Sequence, residues 1–133
     1  LLAAREHSRA ELRRKLLGKG YAAEYVDLTL DELARQQLQS DQRYTEQYVS
    51  QRRARGYGPR RIQAELRERG IAPAVLEAWL DERDPAWWDQ LQAVAAARFG
   101  SAPPADQRDL AKRIRFLEYR GFAPEQIRRL LLD

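Results

Sequence analysis

The sequence predicts an all-α protein built from three tandem three-helix repeats of the helix-turn-helix kind. Apolar residues recur at helical spacing along the 133 residues, and no stretch shows the alternation of apolar and polar side chains that is typical of strands. Three glycines, Gly20, Gly70 and Gly121, stand 50 and 51 residues apart with matching apolar neighbours, which indicates a tandem repeat. Because one such unit buries little apolar surface alone, we expect the repeats to stack into an elongated, curved array.

Each of these glycines has neighbours of the same kind at the same spacing. A leucine lies four residues before the glycine and a large apolar residue directly after it, in the pairs Leu16 and Tyr21, Leu66 and Ile71, and Leu117 and Phe122. This pattern is typical of a helix that ends at a left-handed glycine, after which an apolar side chain folds back onto the helix. We therefore predict a positive φ at Gly20, Gly70 and Gly121. We also predict a loss of roughly 1 kcal/mol or more when valine replaces Gly70.

Start and stop signals delimit eight helices in chain order. Their predicted ranges are 9–17, 22–38, 41–55, 59–69, 73–82, 85–98, 106–120 and 124 to the carboxyl end. Ser8 and Glu11 form the pattern of a capping box before the first helix, and Ser40 or Asp41 caps the third. Residues 1–7 resemble the end of another helix, so the first repeat is expected to be truncated at its start. The predicted domains are 1–38, 39–83 and 84–133.

Composition excludes several classes of site. The chain has no cysteine, which excludes disulfides and thiolate metal sites, and no apolar run of the length that spans a membrane. The single histidine, His7, is interpreted as a solvated residue beside a helix cap and not as a catalytic base. Trp87 and Trp88 are assigned to packing instead of base stacking. No glycine-rich phosphate loop is present, so we expect no enzyme, no cofactor and no metal.

Positive charge is concentrated just before each repeat glycine. The segments 5–19, 52–69 and 108–120 hold 18 of the 24 Lys and Arg residues, although the net charge of the chain is only +4. Threefold repetition of this polarity indicates a surface for a polyanion. The candidate contact residues are Arg13, Arg14, Arg52, Arg53, Arg55, Tyr57, Arg60, Arg61, Lys112, Arg113 and Arg115.

The chain resembles the RecX family, whose members are bacterial regulators of the RecA recombinase. The resemblance is carried by Asp41, Tyr44, Tyr48, Val49 and Arg52 with the run from Gly56 to Ile71, and by similar runs over residues 8–20 and 115–122. It implies three tandem repeats, no catalysis, and binding in the groove of the RecA filament on DNA. It implies inhibition of the ATPase, strand-exchange and coprotease activities of RecA. We expect a cytoplasmic monomer that contacts DNA weakly through its phosphates. The choice of candidate contact residues is based on charge alone.

Two other readings of the residues stay open. One is a DNA-binding protein with tandem helix-turn-helix units, either independent of sequence or a transcription regulator that places the helix after each turn in the major groove. In the second repeat that predicted helix carries Glu77, Asp81 and Glu82, and these carboxylates oppose phosphate contact. A helical-repeat adaptor that binds only protein needs no basic face. The salt dependence of DNA binding and the capture of a protein partner discriminate among these readings.

Overall fold

All regular secondary structure among the described residues is helical. A computed structural model describes residues 5–133, and within them there are eight helices and no strand. This confirms the all-α prediction. The helix end predicted for residues 1–7 lies mostly outside the described residues, and residues 5–7 are not helical. In chain order the helices are α1 (Arg9–Gly18), α2 (Ala23–Arg35), α3 (Asp41–Ala54), α4 (Pro59–Glu68), α5 (Pro73–Trp79), α6 (Pro85–Phe99), α7 (Gln107–Arg120) and α8 (Pro124–Leu132).

The helices form two compact units whose boundaries fall inside α3 and α4. Unit 1 comprises residues 1–50 and 65–79, and unit 2 comprises residues 51–64 and 80–133. The first repeat therefore lies in unit 1, the third in unit 2, and the second contributes to both. The domain limits 1–38, 39–83 and 84–133 follow the sequence repeat and stay a prediction.

The core of unit 1 forms where α1 meets α2. Leu12, Val26 and Leu30 are buried together there, with Leu16 and Leu33 packed against them. These residues recur at three- and four-residue intervals, so each helix presents one apolar stripe to the other. Tyr44, Leu66 and Leu76 are also buried in this unit.

The core of unit 2 lies among α6, α7 and α8. Its buried residues are Leu91, Ala95, Leu117, Phe122 and Ile127. Trp87 is buried and Trp88 packs against the cluster, so both tryptophans have the packing role predicted for them.

The repeat glycines end their helices as predicted. Gly20, Gly70 and Gly121 have φ angles of 93°, 81° and 103°. In each repeat the amide of the following apolar residue donates to the carbonyl of the leucine five residues earlier, at distances of 3.1–3.3 Å. The glycine amide donates to the next carbonyl along the helix. These two bonds satisfy carbonyls that would otherwise have no partner at the helix end.

Two helices end three residues earlier than the sequence pattern predicts. Helix α2 stops at Arg35, not 38, because Gln37 adopts a φ of 60° and the amides of Leu38 and Gln39 turn back to the carbonyl of Leu33. Helix α5 stops at Trp79, not 82.

Local competition explains the early end of α5. The Asp81 carboxylate accepts a hydrogen bond of 2.9 Å from the backbone amide of Arg83, a turn that competes with the helix. Pro85 also disfavours helical backbone at Asp84. That residue instead caps α6 by accepting from the Ala86 amide.

In both units, the start of the helix that precedes a repeat glycine contacts the glycine turn of the next repeat. In unit 1 the Ser8 hydroxyl donates to the carbonyl of Arg69 at 3.2 Å, directly before Gly70. In unit 2 the amide of Gly58 donates to the carbonyl of Arg120 at 2.7 Å, and that of Arg60 to the carbonyl of Gly121 at 2.9 Å. The turns at Gly70 and Gly121 therefore serve both as helix ends and as docking points for the preceding repeat.

His7 is buried, so its interpretation as a solvated residue is wrong. Only 3% of its surface is exposed, because the following Ser8 lies in the junction with Arg69. Its carbonyl accepts a hydrogen bond of 3.3 Å from the Gln39 amide group, and its Nδ1 atom has no hydrogen-bond partner. Burial lowers the pKa of His7, and the positive charge of Arg5 acts in the same direction.

Candidate binding surface

Three guanidinium groups surround the ring of Tyr57 in unit 2. Their central carbons lie 3.9 Å from the ring centre for Arg52, 4.4 Å for Arg61 and 4.9 Å for Arg120. The left-handed Gly56 sets this arrangement, since it turns the chain so that the Tyr57 amide reaches back to the Arg52 carbonyl at 3.1 Å. We call these four residues the Tyr57 cluster. Cation–π attraction holds the like charges together on one ring.

An exposed tyrosine extends this cluster. Arg61 lies 4.7 Å from the ring of Tyr119 and donates a hydrogen bond of 3.2 Å to its backbone carbonyl. Tyr119 is 72% exposed, although it is a large aromatic residue on a helix whose other face is buried. The surface therefore combines guanidinium groups with an accessible ring, a combination that suits contacts to phosphates or to acidic protein surface.

A groove of about 500 Å³ runs beside the cluster, between the end of α3 and the helices α6 and α7. Its lining includes the half-buried apolar residues Val94 and Phe116, which we call the floor, and several small alanines. Its lining, which belongs wholly to the described residues, contains no carboxylate. Four arginines line its rim, namely Arg53, Arg55, Arg98 and Arg120, and we call this feature the Arg98 groove.

The groove arginines rest on aromatic rings and on the end of α3. Arg98 and Arg120 lie 5.0 and 5.1 Å from the ring of Phe116, and Arg53 lies 4.7 Å from the ring of Trp87. Arg120 also donates to the carbonyl of Arg55 at 2.9 Å. Such contacts orient a guanidinium while its charge is retained.

The other predicted contact residues differ in how far their charge is compensated. Arg60 pairs with Glu82 at 2.7 Å, and this hydrogen bond raises its pKa. Arg13 pairs with Asp27 at 2.9 Å in unit 1. Three other candidates are exposed and form no ion pair within residues 5–133: Arg14, Lys112 and Arg115.

Arg113 has a structural role that the sequence did not reveal. It is only 9% exposed, and its guanidinium donates to the Asp109 carboxylate at 3.1 Å and to the Ala102 carbonyl at 2.9 Å. A charge held in this way fastens the loop before α7 and offers little surface to a ligand. We therefore leave Arg113 out of the candidate surface.

Sequence reasoning missed Arg98, Arg120 and Tyr119 as surface residues. Arg98 follows Val94 by four residues on α6, and Arg120 follows Phe116 by four residues on α7. Residues at this spacing share a helix face. The spacing was therefore an available signal for an apolar floor with a basic rim, but it could not show that the two helices enclose one groove.

The part of the chain that the structure describes has no helix long and apolar enough to cross a membrane. Within the same residues no group of histidine, aspartate and glutamate side chains is arranged to hold a metal ion. The surface described above presents guanidinium groups, which bind anions, held against aromatic rings.

The comparisons with known proteins all match this chain to RecX proteins. Models of the first, second and third three-helix domains of RecX match residues 1–33, 40–80 and 86–131. A "Regulatory protein RecX" of Pseudomonas fluorescens (strain SBW25) is 45% identical over 131 residues, which cover 98% of this chain and 84% of that protein. A protein of the same name from Halorhodospira halophila is 42% identical over 128 residues, or 96% of this chain and 80% of that one.

Two solved structures share the fold. A crystal structure of RecX from Lactobacillus salivarius matches 97% of this chain and 86% of its own, with a TM-score of 0.81 and 22% identity. A crystal structure described as regulatory protein RecX also has a TM-score of 0.81, at 23% identity. The match with this second structure covers 98% of the present protein but only 65% of the length of the solved chain.

Proposed function

The chain belongs to the RecX family, and on that premise we propose that it is a non-catalytic regulator that binds the RecA filament on DNA. In this proposal it inhibits the recombinase, ATPase and coprotease activities of RecA, as a monomer in the bacterial cytoplasm. The observation that carries the proposal is the concentration of arginines at the Tyr57 cluster and the Arg98 groove. Such a surface suits a partner that presents phosphates and carboxylates together.

The charge balance of the surface supports this function. Arg53, Arg55 and Arg120 form no ion pair with any carboxylate in residues 5–133, so their charge is available to a partner. Aromatic contacts hold Arg53 and Arg120 in place, which lowers the entropy lost when a partner binds. A filament repeats its subunits, and several contacts made at once raise the apparent affinity.

Any contact with DNA in this proposal is weak, electrostatic and independent of sequence. Readout of the major groove would use the helix after the turn. In the second repeat that helix is α5, which has seven residues, carries the exposed Glu77, and has no basic residue in its last turn. Arginines outside this helix can contact phosphates, but such contacts do not recognise base sequence. The transcription-regulator reading is therefore the weaker one.

The DNA-dependent ATPase of RecA provides the test. Purified protein is titrated below one copy per RecA monomer, and turnover should fall well before equivalence. The double variant Arg53→Glu with Arg55→Glu should inhibit at least about tenfold less well, because two attractive contacts with an anionic partner become repulsive, which costs more than about 1.4 kcal/mol. The matched control is Arg108→Glu with Arg128→Glu, which reverses two exposed arginines of unit 2 outside the surface.

Two outcomes would contradict the proposal. If turnover is unchanged even with excess protein, and no complex with the filament is detected, a protein-only adaptor becomes the better description. If both double variants lose inhibition equally, net charge and not this surface is responsible. Circular dichroism of each variant confirms that the helices are retained.

A further inference from the structure

We propose that the Arg98 groove is a docking site for an acidic peptide segment that inserts an apolar side chain. The partner is an extended or helical segment of another protein in which carboxylates flank a leucine- or phenylalanine-like residue. This inference adds a recognition mode to the proposed function, and it rests on that function only in taking the partner to be a protein.

The rim of the groove carries positive charge that nothing in the described chain neutralises. Arg98 and Arg55 are exposed, and within residues 5–133 no carboxylate pairs with them. By contrast, Arg60 and Arg113 each have a carboxylate partner within 3.1 Å. Guanidinium groups bind carboxylates through two parallel hydrogen bonds. The rim therefore complements a segment with several acidic residues.

The end of α3 does not oppose such a segment. A helix ends in carbonyl groups that carry partial negative charge and repel carboxylates. Here the carbonyl of Arg53 accepts a hydrogen bond of 2.6 Å from the Gln90 side chain, and that of Arg55 accepts one of 2.9 Å from Arg120. Two of these carbonyls are therefore turned toward donors within the protein. The rim then presents guanidinium groups at this edge.

The floor adds an apolar requirement. Val94 and Phe116 are half-buried, and the exposed alanines Ala93 and Ala97 line the groove with them. A volume of about 500 Å³ lies within the range of roughly 300–1,000 Å³ that pockets for compact ligands occupy. A segment with acidic side chains alone would leave this floor in water. An apolar side chain that covers it contributes burial free energy as well as selectivity.

The rings of the groove favour a peptide over a nucleic acid. Base stacking needs an accessible aromatic face. The ring of Phe116 has Arg98 and Arg120 over it and meets Phe99 edge-on at 5.5 Å, and Trp87 is buried beneath Arg53. A phosphate chain could use the rim but would leave the floor uncovered. Carboxylates with an apolar anchor use both parts of the groove.

Fluorescence anisotropy of the full chain tests the proposal with four labelled probes. The first is a short peptide in which glutamates surround a leucine and a phenylalanine one helical turn apart. The second replaces its glutamates with glutamine, the third replaces its apolar residues with glycine, and the fourth is an oligothymidine of equal charge. We expect the first to bind at least about tenfold more tightly than each of the others, a difference of 1.4 kcal/mol or more.

Charge reversals at two exposed residues test where the peptide binds. Arg98→Glu should weaken binding of the first peptide at least about tenfold, whereas Arg128→Glu, on α8 and outside the groove, should change it less than about twofold. Ala93→Glu, which places a carboxylate and extra volume in the groove, should behave like Arg98→Glu. Since both groove positions are exposed on α6, the helical signal should be unchanged.

Several results would overturn the inference. These are no binding of the first peptide, equal losses in Arg98→Glu and Arg128→Glu, or tighter binding of the oligothymidine in competition with the peptide. Peptide binding is measured without RecA. A failure of inhibition in the ATPase assay would therefore remove the proposed function and leave the groove inference standing, while a failure of peptide binding would remove the groove inference alone.

Discussion

Replacement of Gly121 by alanine should destabilise the protein far more than the same change at Gly20, although both residues have a positive φ. At Gly121 an added Cβ would lie 2.6 Å from the backbone nitrogen of Arg61 and would also overlap its Cβ. At Gly20, with a φ of 93°, no atom outside its immediate neighbours lies within 4 Å of an added Cβ. The two sites therefore share the backbone strain and differ in the clash.

The magnitudes follow from these contacts. Left-handed backbone costs an alanine roughly 1–2 kcal/mol, which is the whole loss expected for Gly20→Ala. At Gly121 the clash is with backbone, so the junction must open, and two hydrogen bonds meet there: Gly58 to Arg120, and Arg60 to Gly121. Each contributes about 1 kcal/mol net. We expect a total loss of about 3–4 kcal/mol for Gly121→Ala.

Urea denaturation followed by far-UV circular dichroism measures both losses. Gly18→Ala is the internal control, since Gly18 has no positive φ and open space around it. Alanine there should stabilise the end of α1 by up to about 1 kcal/mol. Equal losses at Gly20 and Gly121 would show that the junction contributes nothing and that backbone strain alone governs the glycine turns.

Three further outcomes are expected. Ser8→Ala removes both the cap of α1 and the bond to the Arg69 carbonyl, so it should lower the free energy of unfolding by about 1–2 kcal/mol; urea denaturation that shows no change would contradict the junction. The lowered pKa of His7 means that the unfolded chain binds its proton more readily, so stability is full above pH 6.5 and falls as the pH drops toward the folded pKa. His7→Gln should flatten that part of the pH profile, and an unchanged profile would show that His7 does not cause the loss of stability. Affinity for single-stranded DNA should fall with salt by a slope of about 0.7 per phosphate contact, and a salt-independent affinity would refute the electrostatic contact.

Features that depend only on neighbours along the chain could be predicted from the sequence. The capping box of Ser8 and Glu11 is present as predicted. The three glycine turns form because each requires only a leucine, a glycine and an apolar residue within six positions. The helical stripes that bury Leu30 or Leu117 follow from the period of the helix in the same way. Local hydrogen bonds and helix geometry decide all of these.

Which charges remain available to a partner could not be predicted from the sequence, because it depends on tertiary contacts. Arg113 and Arg115 are two residues apart in the same basic segment, yet one is buried against Asp109 and the other is exposed. The Arg98 groove draws its rim from three helices, so no single stretch of sequence contains it. The reason is physical: burial and electrostatic compensation depend on atoms brought together from distant positions, and the helical period along one segment carries no information about them.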